Sequence, residues 1–383
     1  MNLLHVITSI DPKTGGTAEA VIRSSLIMVE LGHEIEVASI DSQQCEKHVE
    51  HFPWTTHCLG PGGVGSFHYS RPFRQWLLDN VSRFDAVIVH GLWQHTGFAA
   101  RQACRQIDVP YFVYTHGMLD PWFNTTYPFK KIKKYLYWRW GEYRVLRDAK
   151  AILFTCEEER NLARTSFSPY KVHEQVVGLG TSAPEFGLDQ ALTDFRVQPP
   201  KWAQRPYFLF MSRIQEKKGL DLLVAAYADL RSIEPSIPEL VIAGPIQQQD
   251  YADQIHANYD QTGIHWIGTL SGIEKWQALA AAEAMTLVSH QENFGIVIAE
   301  ALAVGTPVLI SNKINIWREI ERNGAGLVTN DSIEGARSIL EKWLNQSTEE
   351  RQRMVAATTT TFQEHFEIQR TTQRLITYMQ SQL

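Results

Sequence analysis

At 383 residues the chain is long enough for two domains with separate cores. A formal net charge of -6 argues against a nucleic-acid binder, which shows a basic surplus, and a hydrophobic content of 44% is that of an ordinary globular protein. No apolar run approaches the roughly 20 residues needed to cross a bilayer.

Short apolar runs alternate with helical patterns from end to end, which predicts an α/β chain. The start, Met1-Asn-Leu-Leu-His-Val-Ile-Thr, lacks the basic residues and long apolar segment of a signal peptide. It reads as a buried strand over Leu3 to Thr8. Thr14-Gly15-Gly16 then makes a turn. Ala18, Val21, Ile22, Leu26 and Val29 recur at helical spacing until Gly32, and Ile35 to Ile40 follows as a second strand. Ala86 to Val89, Tyr111 to Tyr114 and Ala151 to Phe154 are further buried-type strands, so the first half predicts one doubly wound sheet. Cys45, Cys58, Cys104 and Cys156 are scattered without a CxxC pair or metal-ligand spacing, and a reducing, cytoplasmic location is the simplest reading.

Two of these strands end in histidine-bearing loops, Val89-His90-Gly91-Leu-Trp93-Gln-His95 and Thr115-His116-Gly117-Met-Leu-Asp-Pro-Trp122. Carboxyl ends of strands line the ligand crevice in open α/β sheets. Phe129 to Trp140 mixes four lysines with Tyr135, Tyr137, Trp138 and Trp140 and reads as helical. Such a helix suits an anionic membrane surface; alternatively its aromatics pack into the first domain while the lysines are solvated, the reading we favour. Between Gly180 and Pro206 the pattern lapses and Pro184, Pro199, Pro200 and Pro206 accumulate, which predicts an interdomain hinge. Strands resume at Tyr207 to Met211, Leu240 to Ala243, His265 to Gly268, Met285 to Val288 and Pro307 to Ile310. Thr348 to Leu383 reads as helical throughout.

Two stretches of the second half carry chemistry. In Phe210-Met-Ser-Arg-Ile-Gln-Glu-Lys-Lys-Gly219 a strand gives way to a polar loop with Arg213 and Lys218, and Gly219 opens a helix. An Arg can fork onto diphosphate oxygens while a Lys supplies a point charge. In His290-Gln-Glu-Asn-Phe-Gly-Ile-Val-Ile-Ala-Glu-Ala-Leu-Ala-Val-Gly-Thr-Pro-Val, Glu292 falls on a loop and Glu300 inside the following helix. Backbone N–H groups near Phe294 to Val297 could receive an anion, and carboxylates are bidentate acceptors for sugar hydroxyls.

Glu292-x7-Glu300, with Phe294-Gly295 inside it and Glu-Ala-Leu-Ala-Val-Gly-Thr-Pro-Val following, resembles the donor-site motif of family 4 retaining glycosyltransferases (group 1 type). Arg213-x4-Lys218-Gly219 resembles the same family's diphosphate motif, and Gly15-Gly16 its glycine pair after the first strand. The resemblance implies a GT-B fold: two Rossmann-like doubly wound parallel-sheet domains facing across a cleft, with a C-terminal helix crossing back to the first domain. It implies residues 1–181 as the acceptor-side domain, joined by the helix from about 366 to 383, and 182–365 as the donor domain. Donor contacts fall to Gly15, Gly16, Arg213, Lys218, Glu292, Asn293, Phe294, Gly295, Ile296 and Glu300. Arg213 and Lys218 take the diphosphate, Glu300 the ribose and Glu292 the transferred sugar. His116 resembles the family histidine that reaches the donor sugar, with His90 and His95 left as acceptor-side or structural groups. His116, Glu292, Arg213 and Lys218 are thus the expected catalytic set.

The implied activity is transfer of a hexosyl unit, with retention, from a nucleotide diphosphate sugar to a saccharide or lipid-linked acceptor in polysaccharide or cell-envelope biosynthesis. The chain has no Asp-x-Asp pair, which in the other large glycosyltransferase architecture holds a metal on the diphosphate, so no metal or other cofactor is expected. The location implied is cytoplasmic, with peripheral membrane contact if the 129–140 stretch provides it. A sugar-nucleotide epimerase or hydrolase, and a silent nucleotide-sugar-binding subunit, are the alternatives. One departure stands out: relatives commonly carry Asn-Gly-Val-Asp before the hinge, where this chain has Val177-Gly178-Leu179-Gly180-Thr181.

Overall fold

Among the described residues, thirteen strands form two all-parallel sheets, each inside its own compact unit. The computed structural model describes residues 1–45, 49–122 and 134–383. Met1–Gly180 together with Ile368–Leu383 form the first unit, and Thr181–Glu367 the second.

The first sheet contains β1 (Asn2–Ile7), β2 (Glu34–Ser39), β3 (Thr55–Cys58), β4 (Ala86–His90), β5 (Tyr111–Tyr114), β6 (Ala151–Phe154) and β7 (Glu174–Val176). Their order is β3-β2-β1-β4-β5-β6-β7. Alternation of side chains divides this core in two. Leu4, Val6, Val87, Val89, Val113 and Ile152 enter one cluster; Leu3, Ile35, Val37, Ala86, Ile88, Phe112 and Leu153 enter the other. The second cluster is closed by Leu375, Ile376 and Met379 of the terminal helix Ile368–Gln382, which packs on the helix Gly16–Glu30. The chain returns to the first unit here because this helix has a buried stripe, and the face it covers is that of a parallel sheet, which needs cover on both sides.

The second sheet contains β8 (Tyr207–Met211), β9 (Glu239–Ala243), β10 (Ile264–Gly268), β11 (Ala284–Leu287), β12 (Val308–Ser311) and β13 (Gly326–Thr329), ordered β10-β9-β8-β11-β12-β13. In both sheets the direction of winding reverses beside the first strand, between β1 and β4 and between β8 and β11. These switch points are where open α/β sheets bind ligands.

Two expectations are corrected, and three short strands were not anticipated. The segment from Gly180 to Pro206 is no bare hinge. It holds a helix, Leu188–Val197, that docks on the helix Gly272–Ala281, with Gln277 Nε2 donating to the Ala191 carbonyl at 2.7 Å. Its prolines lie outside that helix, so they bound it rather than prevent it. The chain passes between units at Gly180/Thr181, the very start of that segment, and again at Glu367/Ile368. Nor is the last segment helical throughout. After the helix Thr348–Thr361 comes a π-turn, Phe362–Phe366, and then Glu367 in extended conformation, bridged to Thr181. The short strands β3, β7 and β13 went unread, because β3 and β7 are partly exposed and β13 opens on a glycine.

Gly180 accounts for one position of the departure before the crossing. A Cβ there would lie 2.5 Å from Ile368 Cα and 2.5 Å from Thr371 Oγ1, so the terminal helix leaves no space for a side chain.

Candidate functional site

The polar loops after β8 and β11 lie side by side at the switch point of the second sheet. Ser212 N donates to the Ala243 carbonyl at 3.0 Å and Ile214 N to the Pro245 carbonyl at 2.9 Å, which ties the first loop to the end of β9. Arg213, between these anchors, is exposed. The loop turns through Glu216–Lys218 into Gly219, whose φ of 61° lies in the left-handed region and whose Cβ would sit 2.1 Å from the Val288 carbonyl oxygen. Only glycine allows the helix Leu220–Ile233 to start this close to the end of β11. His290 N donates to the Lys217 carbonyl at 3.0 Å and joins the two loops.

Lys218 is buried, and its ammonium donates to Glu292 Oε2. Glu292 is fixed through its backbone: its N–H donates to the Lys313 carbonyl at 2.9 Å, and its carbonyl accepts from Asn315 N at 3.0 Å. Asn293 Oδ1 accepts from Asn315 Nδ2 at 3.3 Å, and Phe294 is buried edge-on against Phe366 at 5.7 Å. Gly295, at φ 70°, is the N-cap of the helix Ile296–Ala303 and has no side chain of its own to bond the first turn. The N–H groups around Ile296 are thus oriented for an anion. One turn on, Glu300 is buried and accepts from Lys275 Nζ at 2.7 Å. Of the residues expected here, Lys218 and Glu292 are joined directly, Asn293 to Glu300 lie in the same loop and helix, and Arg213 stands exposed on the loop after β8; Lys275, on the helix Gly272–Ala281, was missed. A lysine on an otherwise ordinary helix gives no local signal.

In the first unit Gly15, at φ 115°, precedes the helix that Gly16 opens, and a Cβ on Gly15 would have nothing within 4 Å. His116 follows β5 in the left-handed region, φ 48°, with Gly117 at 74°. Glu159, buried on the helix Glu157–Ser166, fixes this unusual backbone. Its Oε1 accepts from Thr115 Oγ1 at 2.6 Å and Gly117 N at 2.5 Å, and its Oε2 from Thr155 N and Oγ1, both at 2.7 Å. Glu159 was also missed, since its three-glutamate run reads as an ordinary acidic helix start.

Three histidines stack along the same face. His5 Nδ1 lies 2.8 Å from His90 Nε2, and His90 Nδ1 lies 3.0 Å from His116 Nε2. Burial lowers the pKa of His5 and of His116 from 6.5 to about 4. Burial, and then the neighbouring His5 and His116, push that of His90 well below 6.5. All three are neutral imidazoles at neutral pH. His95 is buried as well, its Nδ1 accepting from Ser70 N at 3.2 Å, a structural role.

Of the basic aromatic stretch, Phe129 to Lys133 lie outside the described residues. Lys134 Nζ sits 4.9 Å from the Trp93 ring centroid. Trp138 is fully buried, stacked on Phe167 at 5.0 Å, whereas Leu136 and Trp140 are exposed. No helix of the described residues is long and apolar enough to cross a membrane.

Two Rossmann-like parallel-sheet domains, with the terminal helix returned onto the first, define the GT-B class of fold. Anabaena Alr3699/HepE in complex with UDP superposes over 100% of both chains at a TM-score of 0.77 and 15% identity. The model of the glycosyl transferase 4-like domain matches residues 15–180, and that of glycosyl transferases group 1 matches residues 193–361. The chain belongs to this GT-B glycosyltransferase family. Among characterised relatives, glycogen synthase of Mycobacterium tuberculosis is 35% identical over 127 residues, 33% of this chain and 30% of the relative. Alpha-maltose-1-phosphate synthase of the same species is 27% identical over 287 residues, 67% of this chain and 70% of the relative. The match thus spans under a third of the glycogen synthase.

Proposed function

We propose that the protein moves a hexosyl unit, with retention, from a nucleotide diphosphate sugar to a saccharide or lipid-linked acceptor, in the assembly of a polysaccharide or envelope glycan. The observation that carries this reading is the Lys218–Glu292 pair, with buried Glu300 and a glycine-capped helix start in the same loop and helix, and Arg213 on the neighbouring loop after β8, at one switch point. A nucleotide diphosphate sugar has the matching order of groups: a ribose diol for Glu300, a diphosphate for Arg213, Lys218 and the N–H groups near Ile296, and sugar hydroxyls for Glu292. Asn293, Phe294 and Gly295 shape the wall beside the sugar, Gly15 and Gly16 admit the phosphates closely, and His116 contacts the sugar.

Bond cleavage at the anomeric carbon leaves charge on the diphosphate. Arg213 and Lys218 stabilise that charge, in the role a metal plays elsewhere, and the departing phosphate takes the acceptor proton on the same face. No covalent intermediate is required in this scheme, so Glu292 acts by orienting the sugar.

The test is thermal unfolding of wild type and Arg213→Ala with UDP, GDP and ADP and their common sugar conjugates, UDP first because HepE holds it. A ligand at about 100 times its dissociation constant adds about 2.7 kcal/mol. A shift with one nucleotide, lost in the variant, is expected. No shift with any nucleotide would overturn the reading. Release of modified free sugar without acceptor would turn it toward an epimerase or hydrolase.

A further inference from the structure

Parity on the adjacent parallel strands β1 and β4 places His5 and His90 on one face of the first sheet, and His116, two residues beyond the end of β5, continues the row by stacking on His90 and Tyr114. His5 shares the face of Leu3, and His90 that of Ala86 and Ile88. Ring centroids are 5.1 and 5.3 Å apart along the row, and each contact uses one nitrogen of each ring. Both nitrogens of His90 are engaged. What remains are the two ends: His5 Nε2, buried without a partner, and His116 Nδ1, on a half-buried ring.

A neutral imidazole carries one N–H and one bare nitrogen, so a row of three has two self-consistent arrangements. In one, every N–H points toward His5, and the row ends in a buried His5 Nε2–H with nothing to accept it. In the other, every N–H points toward His116; the row then ends in a bare His5 lone pair, and His116 shows Nδ1–H. A buried orphan donor is the costlier defect. A cavity of about 20 Å³, lined in part by His5, Ser24 and Thr371, has room for roughly one water, which could donate to that lone pair. The second arrangement is therefore tolerable wet or dry.

We propose that His5 and His90 are positioning residues that fix the tautomer of His116, which then meets its ligand as an Nδ1–H donor to a hydroxyl or phosphoryl oxygen and not as a base. This rests on the reading of His116 as a contact of the donor sugar. The lowered pKa values of all three rings agree with a neutral row.

The test is nitrogen NMR of the full chain labelled at histidine, near neutral pH and without substrate, with signals assigned through single-histidine variants. The wild type is expected to show His116 protonated at Nδ1 and bare at Nε2; the opposite tautomer overturns the proposal, whatever the variants do. His90→Phe is expected to abolish the preference, and His90→Asn, whose amide N–H can replace Nδ1–H, to restore it. An unchanged tautomer in His90→Phe also overturns it. For turnover of a nucleotide sugar, His90→Phe is expected to lower kcat/KM on the order of tenfold, with most recovered in His90→Asn. The spectra need no substrate, so the two ideas fail separately. The expected tautomer without any glycosyl transfer leaves the row standing and sinks the transfer reading; transfer with the opposite tautomer does the reverse.

Discussion

Lys218 and Glu292, 74 residues apart in the chain, close into one ion pair at the second switch point. The lysine side chain is 7% exposed and the glutamate 21%. Each partner is thus held in place by the other at the position where the proposed donor needs both. Binding a diphosphate draws the ammonium toward the phosphates, and a sugar hydroxyl replaces the ammonium at the carboxylate. Lys218→Ala leaves Glu292 without its cation and is expected to weaken nucleoside diphosphate binding at least tenfold. Glu292→Gln removes the charge that holds the ammonium and replaces one of the two acceptor oxygens offered to the sugar with an NH2 donor. It is expected to keep nucleotide affinity within a few-fold while lowering turnover of the sugar conjugate by roughly a hundredfold. Calorimetric titration with the nucleotide, alongside turnover, separates the two. Equal losses in both assays for both variants would show that the pair acts only as a structural bridge.

Glu159 holds four hydrogen bonds around His116 from a helix that does not itself carry the histidine. Glu159→Ala leaves the N–H groups of Gly117 and Thr155 and two hydroxyls without their acceptor. A loss of about 3 kcal/mol or more in urea unfolding is expected, with turnover falling too. Glu159→Gln keeps one acceptor oxygen and is expected to lose less. Stability unchanged in Glu159→Ala would mean that the β5 loop holds its left-handed backbone without this carboxylate.

The loops proposed to hold the donor stood out in the sequence because their chemistry is local: Arg213 to Gly219 and Glu292 to Glu300 each fit within one loop and the start of one helix. Both sheets were legible too, since strands buried on two faces write unbroken apolar runs such as Val87-Ile-Val89 and Phe208-Leu-Phe210. What escaped was polar and distant. His5 and His90 are 85 residues apart, Lys275 and Glu300 are 25 apart on separate helices, and Glu159 lies 42 residues beyond Gly117. Buried polar partners of this kind follow from strand order, and strand order is not written in any one segment. His5 was nevertheless findable as a lone polar residue in the apolar run of β1.

Two buried groups give stability opposite pH slopes. His5 titrates at about 4 when folded against 6.5 unfolded, so the unfolded chain binds the extra proton between those values. Its contribution is complete above 6.5 and falls as the pH drops toward 4, by roughly 3 kcal/mol. Glu142 runs the other way. Burial raises its pKa from 4.5 to about 8, and Oε2 has no partner, so stability is lost as the pH rises from 4.5 toward 8. In melting curves across pH 4 to 9, His5→Phe is expected to flatten the acid side. Glu142→Gln, which mimics the neutral acid, is expected to raise the Tm increasingly toward the alkaline side. Parallel curves for a variant and the wild type would remove that residue from the explanation.

Trp138 and Trp140 divide the two readings of the basic aromatic segment between them. Trp138, with no exposed surface, stacks on Phe167 and donates its indole N–H to the Pro169 carbonyl at 2.9 Å, as the packed-helix reading requires. Trp140 is 70% exposed two residues on, with Leu136 also exposed and Lys134 nearby in sequence, the composition that suits an anionic interface. Trp138→Ala is expected to cost about 3–5 kcal/mol in urea unfolding, and Trp140→Ala to stay within about 0.5 kcal/mol of wild type. Flotation with vesicles containing anionic lipid then tests the surface. Trp140→Ala, and separately Glu at positions 130, 131, 133 and 134 in place of lysine, are expected to reduce any binding seen with the wild type. Binding that survives both changes would place the membrane contact elsewhere on the chain, and wild-type protein that stays with the unbound fraction would leave the exposed tryptophan to the acceptor instead.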